Sequence, residues 1–196
     1  IMSYVSDQVL AELLEDALSY EEDPQALAQL LTIFHRCDPN SALPWLLRML
    51  RQEQEAPVNT VCQLLNTYPT ARWISAVPTL SQWVYQGSER LQQCALGLIL
   101  QAEPEQSAAY LQDSLPHLMI SCLQQLKIEQ AQKHTLQLLR LQQHPNPAVR
   151  QALYRVWLRD AGFWPLLLQY APQESESSCQ QVLIECLAQL PAEQSG

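Results

Sequence analysis

Glycine is nearly missing: the chain of 196 residues has four. Loops that cradle phosphates need several glycines close together, so that class of nucleotide site is excluded. Long hydrophobic runs are missing too. No stretch reaches the roughly 18 apolar residues of a membrane-spanning helix, and none is expected. Ile1–Ser6 has neither a basic region nor an apolar run, so no secretory signal is expected. Ile1 precedes Met2, which fits either an excised domain or a cloning scar. Charge is sparse at 16%, and the net charge is −9. An acidic chain without a lysine-rich stripe repels phosphate, which argues against a nucleic-acid partner.

Leucine and glutamine are abundant, at 35 and 27 residues. Both favour helix. The 13 prolines do not oppose this, because proline is tolerated in a first helical turn, where its missing N–H would be unpaired anyway. Val9, Leu10, Leu13, Leu14, Ala17 and Leu18 trace one apolar helical face, with Ser6 as the expected N-cap. No segment alternates with period two for long enough to make a strand. Breakers recur instead, at Asp23-Pro24, Asp38-Pro39-Asn40, Ala56-Pro57, Gly87-Ser88, Glu103-Pro104, His144-Pro145-Asn146-Pro147 and Gly162. They imply about eleven helices joined by short loops, so that sequential helices are antiparallel neighbours. First helices near 24, 57, 88, 115, 147 and 175 give a period of about 30 residues, the signature of a solenoid.

Four segments share a pattern of an apolar residue, Pro, any residue, Leu: Leu43-Pro44-Trp45-Leu46, Val77-Pro78-Thr79-Leu80, Leu115-Pro116-His117-Leu118 and Trp164-Pro165-Leu166-Leu167. Each reads as a helix starting at or just before the proline. Pro145-Asn146-Pro147-Ala148-Val149-Arg150-Gln151-Ala152-Leu153 resembles the first helix of a HEAT repeat of the short, phycobilisome-lyase-like kind. The Ala-Val-Pro-Thr-Leu segments resemble its second helix. The resemblance spans most of 23–190 and implies an all-α, right-handed superhelix of about five antiparallel helix pairs. It also implies that Val149 packs inward and that Arg150 reaches a neighbouring repeat; Arg90-Leu91 is an echo of that pair. Between 104 and 145 the frame stays open, since Pro116 opens either a first or a second helix. The expected organisation is an acidic leading helix at 1–22 packed on the solenoid, the repeat domain at 23–190 and a disordered tail at 191–196.

No catalytic constellation is expected. There is no Gly-x-Ser-x-Gly elbow. His35 and Cys37 point apart on a helix, and Cys179 and Cys186 share a face without further ligands, so no metal site follows. Glu12, Glu15 and Asp16 read as the solvated face of the first helix. The six cysteines sit in apolar helical runs and read as buried thiols of a reducing, cytoplasmic compartment. No cofactor is expected.

Charge is unevenly placed. Residues 1–23 hold seven acids and no base, whereas 127–160 carries a net +4. Lys133, Gln137, Arg140 and His144 form one polar stripe on a helix near 128–143, and Gln151, Arg155 and Arg159 form another on the next. Together they read as a patch for an acidic protein segment. Trp45 and Trp83 are candidate anchors. The expected function is a non-catalytic scaffold or adaptor, monomeric or weakly self-associating. The alternatives are a tetrapyrrole (phycobilin) lyase or chaperone-like subunit, suggested by the repeat subtype, and a regulatory repeat domain of a larger protein.

Overall fold

The computed structural model describes residues 7–51 and 55–190. The expected cap at Ser6 and the tail at 191–196 lie outside the described residues. Every regular element among the described residues is helical, as the leucine and glutamine content and the missing period-two pattern require. There are thirteen α-helices among them, more than the eleven or so read from the breakers; the one helix expected over 128–143 is among the stretches that differ. The chain forms two compact units that divide at Ala102 and Glu103. The span 23–190, read from sequence as one repeat domain, runs through both units, and the breaker Glu103-Pro104 marks the division.

The first unit contains α1 (Asp7–Tyr20), α2 (Pro24–Cys37), α3 (Pro39–Met49), α4 (Glu55–Leu65), α5 (Val77–Gln86) and α6 (Glu89–Ala102). Its starts follow from capping chemistry. Asp23 accepts from the backbone N–H groups of Gln25 and Ala26 ahead of Pro24. Asp38 closes one helix and opens the next. Its N–H donates to Phe34 O, ending α2, while its carboxylate accepts from the amides of Asn40 and Ser41, starting α3. Those bonds, led by the Ser41 hydroxyl, hold Asp38 below the usual carboxylate range. This cap also corrects one expectation: α3 starts at Pro39, so Pro44 lies inside the helix. The other three Pro-x-Leu segments do begin α5, α8 (Pro116–Gln125) and α12 (Trp164–Tyr170) at or just before the proline.

α2 packs on α4 and α4 on α6, while α3 and α5 lie against their sequence neighbours. Leu31, Phe34, Leu46, Val61, Leu80 and Ile99 are fully sealed between them, each worth about 1.5–3 kcal/mol of transfer free energy. Gly87 ends α5 where a Cβ would come within 3.0 Å of Leu91 Cγ and of Trp83 O, so the turn into α6 is tight because the residue is glycine. α1 packs on α2, but only part of its apolar face is covered. Leu14 and Leu18 are buried, whereas Val9 and Leu13 stay exposed.

The second unit contains α7 (Ser107–Tyr110), α8, α9 (Ile128–Lys133), α10 (Thr135–Leu141), α11 (Pro147–Leu158), α12 and α13 (Ser177–Leu187). α8 packs on α11 and α11 on α13. Pro116 thus opens a helix of the same series as Pro147. The Asn146 side chain accepts from Ala148 N and caps α11, with Pro147 in the first helical turn. Within each unit, hydrogen bonds join residues about one helix pair apart. Arg72 donates to Asn40 and Trp83 to Leu50 O in the first; Cys179 donates to Pro147 O and Cys186 to Tyr154 O in the second.

Candidate protein-binding surfaces

The basic stretch belongs to the second unit. His134 breaks the backbone there (φ −100°, ψ 19°), with its Nε2 lying 2.9 Å from Ser107 Oγ. The one helix expected over 128–143 is therefore two, α9 and α10. Lys133 ends α9 and pairs with Glu105 at 3.2 Å, both side chains being well exposed. Such a pair contributes about 1 kcal/mol at most. Arg140 is exposed in the last turn of α10. The other members of the expected stripe, Gln137 and His144, are half-buried. Gln137 has its Oε1 buried without a hydrogen-bond partner, and His144 Nδ1 accepts from Asn146 N.

Leu136 emerges in their place, 76% exposed. It lies three residues after Lys133 and four before Arg140, while Leu138 and Leu141 take the inward positions of α10. The surface of α10 thus presents an apolar side chain one turn before a cation. Arg155 is exposed on α11, which packs against α10. Arg159 is spent differently. Its guanidinium donates to Leu123 O at 2.7 Å, Leu126 O at 3.1 Å and Gln124 O at 3.4 Å. These are the carbonyls left unpaired where α8 ends. Burial pulls Arg159 below the usual arginine range. Arg159, a member of the expected basic patch, is exposed, and its charged end also closes a helix.

In the first unit, Trp45 is half-buried, with the Arg48 guanidinium carbon 5.4 Å from its ring centroid. It lines a cavity of about 460 Å³ with Leu18, Glu21, Glu22, Leu27 and Met49. Glu21 is partly engaged, since its Oε1 accepts from Glu22 N and Asp23 N. Trp83 is also half-buried, and its indole N–H donates to Leu50 O at 2.9 Å, where α3 ends. That bond ties Trp83 to the fold. Trp73 and Trp157 are sealed in the core, and Trp164 donates to Leu158 O at the end of α11.

No protein-family model matches this chain, and no curated protein matches it. Its chemistry has to be read from its own residues.

Val149 is fully buried. Arg150, beside it, crosses to the segment before α13 and forms a fork with Glu174, Nε to Oε2 at 3.0 Å and Nη2 to Oε1 at 3.1 Å. Its Nη1 donates to His144 O at 2.7 Å, and Tyr154 donates to Glu174 Oε2 at 2.6 Å. Burial alone would raise the Glu174 carboxyl. The Arg150 and Tyr154 hydrogen bonds, the amide of Glu176 and the Arg150 charge outweigh it and hold Glu174 down at about 2. Burial and the bond to Glu174 push Tyr154 upward. These groups satisfy one another and leave nothing over for a ligand, so the cluster is a clasp between two segments.

Four cysteines are buried, and Cys37 and Cys94 are half-buried. Cys62 lies on α4 and Cys94 on α6, two helices that pack together. Leu136 carried a signal in the sequence, lying out of phase with the inward leucines of its helix and in phase with Arg140. Among the described residues, no group of three or more His, Cys, Asp or Glu is placed to hold a metal ion, and no helix is long and apolar enough to cross a membrane.

Proposed function

We propose that the chain is a non-catalytic scaffold of HEAT-like repeats, wound as a right-handed superhelix, that binds an acidic segment of a partner protein. Two features support the repeat reading. α2, α4 and α6 begin at 24, 55 and 89, and α8, α11 and α13 at 116, 147 and 177. Each series packs in order, at the spacing of a helix-pair repeat. The observation that carries the binding role is Leu136, exposed on α10 one turn before the exposed Arg140. An exposed apolar side chain one turn from a cation suits an amphipathic helix whose leucine is flanked by carboxylates.

The test uses a fluorescent peptide of that design. Wild-type chain should bind it, more weakly as salt rises, because exposed charges are screened beyond about 8–10 Å at physiological ionic strength. Leu136→Asp and Arg140→Glu should each lower affinity at least about tenfold, a loss of about 1.4 kcal/mol, with an unchanged helical spectrum. Equal binding by wild type and both variants removes the role. The cavity beside Trp45, with an indole and two carboxylates, supports the bilin-lyase alternative. A bilin whose absorption is unaltered by the protein would end that reading.

A further inference from the structure

The surface of Leu136 and Arg140 fits an amphipathic helix whose leucine is flanked by carboxylates, and the chain itself carries one. α1 buries Leu14 and Leu18 where it packs on α2. Its other side shows Leu13 at 59% exposure and Tyr20 at 85%, with Val9 exposed one turn before Leu13. Val9, Leu13, Asp16 and Tyr20 are spaced +4, +3, +4, so they share one ridge of the helix. Single exposed apolar residues are ordinary, but three on one ridge form a strip of the kind that marks a contact. Asp16 is exposed on that ridge, with Glu12 and Glu15 exposed beside it. Residues 1–23 hold no Lys or Arg, so no base of the same segment offsets these carboxylates.

We infer that the acidic partner of the Leu136 surface is α1 of a second copy of this chain. The inference rests on the binding role proposed above for Leu136 and Arg140, and it adds the identity of the partner. Each copy offers one acidic apolar ridge and one basic apolar surface. Two acidic ridges repel each other, and so do two basic surfaces, so the contact joins unlike faces of the two copies. The spacing agrees with the charges. Arg140 follows Leu136 by four residues, and Asp16 follows Leu13 by three. The two offsets differ by one residue, about 1.5 Å of helix rise. Parallel helices therefore set Leu136 against Leu13 and Arg140 beside Asp16. A contact between two single helix faces falls below about 1,200 Å², the range of weak and transient association.

The test is sedimentation velocity on the full chain at concentrations up to about 1 mM, which reaches weak contacts, in low and high salt. Wild type is expected to form assemblies that grow with concentration and dissolve as salt rises. Asp16→Arg and Arg140→Glu alter exposed side chains. Each variant alone should associate about tenfold more weakly, because like charges then face each other. An equal mixture of the two variants should associate as wild type does. The arginine placed on α1 of one chain then meets the glutamate placed on α10 of the other, and the remaining contact is the native one. Recovery in the mixture also shows that both variants are folded.

Wild type that stays monomeric throughout, while still binding the fluorescent acidic peptide, overturns this inference and leaves the binding role of Leu136 in place. A monomeric wild type that ignores the peptide removes both. Association that survives in each variant alone, or a mixture no stronger than its parts, overturns the pairing of α1 with α10.

Discussion

Arg150 shows how one side chain can hold two segments. Its guanidinium is shared between the Glu174 carboxylate and the His144 carbonyl, and both partners of the ion pair are largely out of water, at 14% and 4% exposure. Removing Arg150 leaves a buried carboxylate with one hydroxyl and one amide donor. Arg150→Ala should therefore destabilise by about 3–5 kcal/mol, the range for breaking a buried pair, read as a drop in urea midpoint. The pH dependence follows from Glu174. Its folded pKa of about 2 lies below the ordinary 4.5. The stabilisation is thus complete above about pH 4.5 and is lost as pH falls toward 2. It amounts to about 3 kcal/mol across that window. Glu174→Gln should unfold with a visibly flatter midpoint between pH 5 and 2.5 than wild type. Parallel curves would mean that the carboxylate is not held as described. The resemblance to a repeat family led to Arg150 as a residue that crosses to a neighbour. It could not lead to Glu174, because the loop before α13 has no periodic pattern to fix its position.

At the scale of the helix, prolines and caps were the legible signals. Asp23, Asp38 and Asn146 each stand before a proline and cap the helix it opens. Pro44 misled because it shares its pattern with true helix starts, whereas the cap at Asp38 acts six residues earlier. The break at His134 was illegible for another reason. The apolar period runs straight through 128–141, and the Ser107 contact that accompanies the break comes from a distant part of the sequence. Arg159 belongs here too. By spacing it continues the polar stripe of Gln151 and Arg155, yet it serves as the C-terminal cap of α8. Arg159→Ala should cost about 1.5–3 kcal/mol, the scale for hydrogen bonds to a charged group, and should speed amide exchange in the last turn of α8. Arg155→Ala, at an exposed position, should stay within about 0.5 kcal/mol. Equal midpoints for the two variants would mean that Arg159 does not hold the end of α8.

At the scale of the molecule, the spacing of the helix starts was readable from breakers and composition alone, because each helix of a series needs the same start signal and a similar length. The division at Ala102 was not, since Glu103-Pro104 looks like every other breaker and only packing distinguishes it. Each unit has its own sealed core. Residues 1–102 expressed alone should therefore keep a helical circular dichroism spectrum and unfold in one cooperative urea transition. A fragment without a cooperative transition would show that this core needs the rest of the chain.

The hydrogen bonds that join residues one helix pair apart, such as Asn40 with Arg72 and Pro147 with Cys179, set a timetable. As the chain leaves the ribosome, a newly made segment waits only for the next 32 residues before these partners arrive. At about 5–20 residues per second that is roughly 2–6 seconds. No early helix has to be kept from aggregating until the far end of the protein is made. Synthesis and folding can advance together, and an interrupted chain already holds finished structure behind the point where it stopped.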